Sequence, residues 1–309
     1  MLIHTTTRWW LLLVCLGSGF ACGPSLSAQE SSASLESAEP EDQTPALLCP
    51  EFIEPESRGI VKDKKLREIS GIVPSHTYDG FWVHNDSGDK ARLYGLTSTG
   101  SRSITVNIPS ATALDWEDLS WGPGAQDGKG YLYIGDIGDN LHIRPFVTVY
   151  QISEPTLLQD SADTILVSRL KYPNGAPNAE TLMVHPTTGD LFIVSKAPKG
   201  EAAQIYVARA PLTEDMNLEP FGTVPIHEQI TGGEFNATGN MVVLRTYNAA
   251  YFMKYTPTGL VPFDTNPCRF TLEKELQGEA ISWALNDAGV VTLSEGKSST
   301  LWYYPRKTQ

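Results

Sequence analysis

The chain has 309 residues, 41% of them apolar and only 19% charged, with 26 Gly and 21 Pro. That apolar content excludes global disorder, while the low charge and the many turn formers exclude a coiled coil and favour short strands. A formal charge of −13 excludes nucleic acid and anionic membrane surfaces as partners, since both need a basic footprint.

Residues 1–22 read as an export signal: Arg8 supplies the positive start, Trp9 to Leu16 the apolar run, and small residues lead to Ala21-Cys22. Gly-Phe-Ala-Cys resembles a bacterial lipobox, so Cys22 is expected to carry lipid and anchor the protein in the cell envelope. A soluble periplasmic or secreted protein is the alternative. Residues 23–57 are rich in Ser, Glu, Ala and Pro and hold eight acidic residues and no basic one, the composition of a disordered tether. Beyond residue 30 no stretch approaches the ~20 apolar residues of a membrane span. A single folded domain is therefore expected over 58–309, held at the membrane by the lipid alone and monomeric. Of the four cysteines, Cys15 falls in the signal and Cys22 takes the lipid. Cys49 and Cys268 remain in an oxidising compartment, where a disulfide is the expected state and two free thiols the alternative.

From residue 58 onward the chain repeats. Five times an apolar strand, a turn, a second apolar strand with a polar end, and a third strand follow one another. First strands are predicted at Ser70-Gly-Ile-Val-Pro, Glu117-Asp-Leu-Ser-Trp, Glu180-Thr-Leu-Met-Val, Gly233-Glu-Phe-Asn-Ala and Glu279-Ala-Ile-Ser-Trp. Turns such as Thr188-Gly-Asp and Thr238-Gly-Asn separate them from the second strands. Counted from residues 70, 117, 180, 233 and 279, the spacings are 47, 63, 53 and 46 residues, near the period of a four-stranded propeller blade. Fourth strands follow four units, but the fifth ends too early to have one. The orphan strand Gly59-Ile-Val is predicted to complete it. The expected fold is all-β: a β-propeller of five four-stranded blades closed by the N-terminal strand, with six blades as the alternative. Closure leaves no long sheet edge exposed.

In a propeller the starts of the inner strands and the ends of the second strands share one face near the axis. Here the starts are Ser70, Glu117, Glu180, Gly233 and Glu279, and the ends are Asn85-Asp86, Asp136, Lys196, Arg245 and Glu295. Converging carboxylates raise one another's pKa unless cations offset them. Lys196 and Arg245 are the internal candidates and Ca²⁺ the external one, since it takes hard oxygens from several loops. The expected metal ligands are thus Glu117, Asp136, Glu180 and Glu279, and the expected ligand-binding residues Asp86, Lys196, Arg245 and Glu295. The alternative is structural, with each carboxylate accepting backbone N–H groups or pairing with Lys196 and Arg245. Neither Gly135-Asp-Ile-Gly-Asp-Asn nor His84-Asn-Asp-Ser-Gly-Asp has the ligand spacing of an EF-hand. No zinc spacing and no Gly-x-Ser-x-Gly elbow is present.

Taken together, Trp82-Val-His-Asn-Asp-Ser-Gly-Asp, Asp115-Trp-Glu-Asp-Leu, Tyr131-Leu-Tyr-Ile-Gly-Asp-Ile-Gly-Asp-Asn and Gly278-Glu-Ala-Ile resemble a group of exported bacterial β-propeller proteins. The likeness covers roughly residues 58–305. More remotely the chain is similar to phytase-like esterase propellers and to the calcium-binding propellers called SdiA-regulated. These resemblances imply an exported propeller with an acidic mouth, Ca²⁺ there, and an ester or phosphoester substrate. Five blades depart from the six of the phytase propellers. The reading that results is a cell-envelope propeller that binds a small molecule or a protein on its acidic face. A Ca²⁺-dependent hydrolase using the same carboxylates is the alternative.

Overall fold

The structure, a computed structural model, describes residues 49–124, 126, 128–257 and 266–307. The expected export signal, Cys22 and most of the expected tether lie outside the described residues. The first strand, β1 (Glu56–Val61), precedes the repeats. The first blade is β2 (Ile69–Pro74), β3 (Gly80–Asn85), β4 (Arg92–Thr97) and β5 (Arg102–Asn107), and the second is β6 (Trp116–Pro123), β7 (Gly130–Asp136), β8 (Val147–Ser153) and β9 (Thr164–Lys171). In the third, β10 (Ala179–Val184), β11 (Leu191–Ser195) and β12 (Ala203–Ala208) lead to β13 (Asp215–Asn217) and then β14 (Glu219–Val224). Here β14 completes the blade, while β13 runs parallel to β9 and extends the second blade's sheet. The fourth blade is β15 (Ile230–Phe235), β16 (Met241–Thr246), β17 (Ala249–Lys254) and β18 (Cys268–Thr271), and the fifth contains β19 (Gly278–Trp283), β20 (Gly289–Ser294) and β21 (Ser299–Pro305).

The protein is a five-bladed β-propeller. β1 pairs antiparallel with β21 as the outer strand of the fifth blade, so the orphan N-terminal strand closes the ring as the sequence predicts. The long second unit holds no sixth blade; its extra residues form the connections after β7 and β8.

Burial explains the strand chemistry. β10, β15 and β19 are buried along their whole length, whereas the outer strand β14 is mostly exposed. An inner strand has a blade on each side, so its sequence reads as a continuous small or apolar run. Cores form between blades: Trp82, Trp116 and Leu132 between the first and second, and Phe252, Trp283 and Tyr304 between the fourth and fifth. Each large side chain so buried contributes about 1.5–3 kcal/mol.

The fold starts earlier than the expected boundary at residue 58. Phe52 pairs with Arg306, and its ring packs on Phe252 and Phe270 at 5.1 and 4.9 Å. Cys49 and Cys268 form the expected disulfide, with Cα atoms 5.6 Å apart. It ties the segment before the closing strand to β18 of the neighbouring blade. Exchanging both cysteines for serine is expected to lower stability by about 2–4 kcal/mol, because the link closes a very long loop in the unfolded chain. Urea unfolding measures this, and an unchanged midpoint would show that the link constrains nothing.

Candidate functional site

All five inner strands slip by one residue against their second strands at the same place. The residues left over are Ser70, Glu117, Glu180, Thr231 and Glu279. A bulge of this kind re-aims the extra side chain, and here it delivers three glutamates to one end of the channel. In the fourth blade the strand starts at Ile230, so Thr231 takes the place the sequence reading gives to Gly233. Gly233 lies mid-strand opposite Leu244, and Thr231 Oγ1 donates to Gly278 O at 3.0 Å.

Two carboxylate triads meet there. Asp86, Asp115 and Glu117 each offer an oxygen within 4.8 Å of the others, and so do Asp86, Glu279 and Glu295. Asp86 is common to both. Glu180 pairs with Lys196 at 2.5 Å, and the Lys196 ammonium lies 5.3 Å from the ring of Tyr247. Gln277 Nε2 donates to Glu279 Oε1 at 3.2 Å. Glu279 is only 4% exposed, yet its Oε2 has no hydrogen-bond partner. Gly138 packs directly on Glu117 and Asp115; a Cβ there would collide with both carboxylates.

The electrostatics follow from crowding under partial burial. Burial, then the charges of Asp115 and Glu279, pushes Asp86 up to about 6. Burial raises Glu180 to about 7 in spite of Lys196. Burial, then Glu279 and Glu68, raises Glu295 to about 9. Glu117 is driven well above the carboxylate range by burial and by Glu180, Asp86, Asp115 and Glu279. Burial works against the Lys196 ammonium, but Glu180 beside it holds it protonated.

Asp86, Glu117, Glu180, Lys196, Glu279 and Glu295 thus come together. Asp136 and Arg245 do not. Asp136 accepts from the backbone N–H groups of Leu114 and Asp115 at 3.2 Å each and from Arg144 Nη1 at 2.8 Å. It is a brace for the loop that presents Asp115. Arg245 is 0% exposed and bonds Ala280 O at 2.8 Å and Glu275 at 2.5 Å, in the seam between the fourth and fifth blades. Both lie one or two residues short of the position just past the second strand that Asp86, Lys196 and Glu295 hold in the other blades; Tyr247 and the buried Ile137 stand there instead. Asp115, Glu68, Gln277 and Tyr247 were not singled out as site residues by their sequence positions. A signal exists for three of them: Glu68, Asp115 and Gln277 each stand two residues before the bulged residue of their blade.

Deeper in the channel two further carboxylates act on the strands themselves. Asp118 accepts from Leu119 N at 2.8 Å and from Leu182 N of the next blade at 3.0 Å. Glu234 accepts from Phe235 N at 2.9 Å and from Ser120 Oγ at 3.0 Å, and Ser120 Oγ in turn accepts from Val184 N at 2.9 Å. Burial pushes both carboxyls well up.

No family model matches the chain, and no curated protein matches it. Similar solved structures include a soluble aldose sugar dehydrogenase from Escherichia coli in its apo form, at 10% identity over 82% of this chain and 99% of that one, with a TM-score of 0.47. A gluconolactonase from Xanthomonas campestris matches at 10% identity over 84% of this chain and 95% of that one, with a TM-score of 0.49. The Pan2 WD40 domain from Neurospora crassa matches at 12% identity over 84% and 99%, with a TM-score of 0.41. At these identities and scores the likenesses assign neither substrate nor residue roles.

Proposed function

We propose that this is an exported binding propeller whose acidic mouth takes a hard divalent cation of the Ca²⁺ kind and, through it, an oxygen-rich ligand. The observation that carries the reading is the pair of triads sharing Asp86, with the buried Glu279 Oε2 left unpartnered among them. Oxygens all within 4.8 Å of one another are close enough to share one Ca²⁺, whose ligands lie about 2.3–2.6 Å from the ion. Both triads consist of carboxylates, without the Cys or His that Zn²⁺ favours. Glu117 and Asp115 with Asp86 form one half of the cradle, Glu279 and Glu295 with Asp86 the other. The Glu180–Lys196 pair borders it and offers an ammonium to an anionic group on the ligand. Leu114, Leu141, Ile143 and Leu276 stand exposed on the loops around the mouth, Leu276 at 88%. That rim favours a ligand, small molecule or protein segment, with apolar flanks beside its oxygens. The disulfide supports export, since such links persist in oxidising compartments.

Thermal melts of metal-stripped protein in Ca²⁺ and in EDTA test the reading. The melting temperature is expected to climb with Ca²⁺, by linkage worth about 2.7 kcal/mol at a hundredfold excess over Kd. Asp86→Asn, which touches both triads, should weaken that response at least tenfold. The pH dependence has a definite sign. Asp86, Glu180 and Glu295, raised to about 6, 7 and 9, hold protons in the folded state that the unfolded chain has released. Their contribution to stability is complete below about pH 4 and is lost as pH rises through 6 to 9. Ca²⁺ should flatten that decline by replacing the protons. A melting temperature indifferent to Ca²⁺ and EDTA at pH 8 would leave the carboxylates as a polar lining only.

A further inference from the structure

Single exposed apolar residues need no explanation, but several gathered at one end of a molecule mark an interaction surface. The five most exposed large apolar side chains among the described residues are Leu158, Leu276, Leu141, Ile143 and Leu114. All but Leu158 sit on loops at the acidic mouth. Leu114 precedes Asp115 of the first triad. Leu141 and Ile143 share a loop with Gly138, whose N–H donates to Asp115 O at 3.2 Å. Leu276 precedes Gln277, which bonds Glu279. Leu158 lies at the outer edge of the ring, where Asp160 O accepts from Asn107 N.

Beside these loops the exposed charge changes sign. The linker between β1 and β2 wraps the Asp86–Glu295 side of the mouth. Its Lys65, Arg67 and Glu68 carbonyls accept from Asn85 Nδ2, Gly296 N and Asp86 N at 2.6, 2.8 and 2.6 Å. Lys64, Lys65 and Arg67 of the linker are exposed, as are Lys90 after Asp86, Lys297 after Glu295 and Lys274 just before Leu276. On the same four connections the exposed carboxylates are Glu68 and Glu273. None of the six cations is ion-paired among the described residues, whereas Arg92 and Arg102 nearby each hold an aspartate. The charge of −13, which counts against an anionic membrane, is an average over the chain; this rim carries the opposite sign.

We propose that the mouth end docks on an anionic phospholipid surface, with Ca²⁺ in the cradle bridging to a headgroup phosphate. This rests on the Ca²⁺ reading above and names the oxygen-rich ligand. Each part of the face has a use there. Leu114, Leu141, Ile143 and Leu276 enter the boundary between headgroups and acyl chains. The rim cations meet neighbouring phosphates, each strengthening binding about fivefold. The acidic centre would repel such a surface when empty, and a bound cation reverses that. Ca²⁺ takes about six to eight oxygens, more than either triad supplies with one from each carboxylate, so places remain for phosphate oxygens.

Sedimentation with vesicles tests this, using the full chain carrying Cys22→Ala so that the expected lipid anchor is removed. Vesicles of phosphatidylcholine with about 30% phosphatidylglycerol should bind the protein in Ca²⁺. EDTA, or phosphatidylcholine alone, should weaken binding about tenfold or more. Leu141→Ser with Ile143→Ser should weaken it about tenfold by taking apolar surface out of the contact. Lys64→Gln with Lys65→Gln should do about as much. Leu285→Ser, between β19 and β20 at the other end of the ring, should change nothing. Melts in Ca²⁺ and EDTA run beside these. A melting response to Ca²⁺ without Ca²⁺-dependent vesicle binding would overturn the docking and leave the cation site standing; loss of both would overturn both. Binding that ignores EDTA, an equal loss from Leu285→Ser, or Ca²⁺-driven self-association without vesicles would also overturn the proposal.

Discussion

Replacing Arg245 by methionine is expected to cost about 3–5 kcal/mol in urea unfolding, although no ligand role rests on it. Its guanidinium is buried between the fourth and fifth blades, where it bonds Ala280 O and pairs with Glu275. Glu275 is itself buried, and its other oxygen accepts from Thr292 Oγ1 at 3.1 Å. Taking away one partner of a buried pair strands the other charge, which costs more than the pair itself contributes. Gly278 packs directly on the guanidinium, where any Cβ would collide, so the seam is shaped around this side chain. The double substitution Arg245→Met with Glu275→Leu should therefore recover much of the loss, since neither charge then remains. A single variant within about 0.5 kcal/mol of the unsubstituted protein, the range of ordinary surface changes, would contradict the placement of Arg245 in the seam.

Asp118→Ala is expected to be of similar size, about 3–5 kcal/mol. Two backbone N–H groups, Leu119 and Leu182, lose their acceptor together, and each buried donor left unmet costs about 1–3 kcal/mol. Asp118→Asn should cost clearly less, because the amide oxygen still accepts from one of them. It also removes a carboxyl that raises the pKa of Glu234. Equal losses for Ala and Asn would mean that Asp118 only fills space in the channel. Because Asp118 adjoins Glu117, the Ca²⁺ response of the folded Asn variant must be followed alongside. A retained response separates strand bridging from cation binding.

Glu117 and Asp118 show how neighbouring residues divide between two tasks. The bulge turns Glu117 toward the mouth, while Asp118 returns to the regular pairing opposite Gly135 and reaches into the channel. The sequence pattern Glu-Asp-Leu-Ser-Trp marks both as acidic and does not distinguish them. Likewise Glu234 reads as a polar residue inside a strand, and only the ring brings it to Ser120 of a blade two places away.

The strands, turns, blade count, ring closure and Cys49–Cys268 link were legible in the chain itself, because each is written in local apolar runs, turn residues and spacing. So was the glutamate at the head of three inner strands. What the ring alone decided was which polar side chains reach the axis. Side chains alternate along a strand, so a shift of one residue sends a group to the other face. The bulge in every inner strand is such a shift, and no hydrophobic pattern announces it. For this reason Thr231 replaced Gly233 at the fourth blade's head, Asp136 and Arg245 turned into structural braces, and Asp115 joined the triad from a loop. The convergence of Asp86 with Glu279 and Glu295 joins residues about two hundred positions apart in the chain, and only closure of the last blade onto the first brings them within reach.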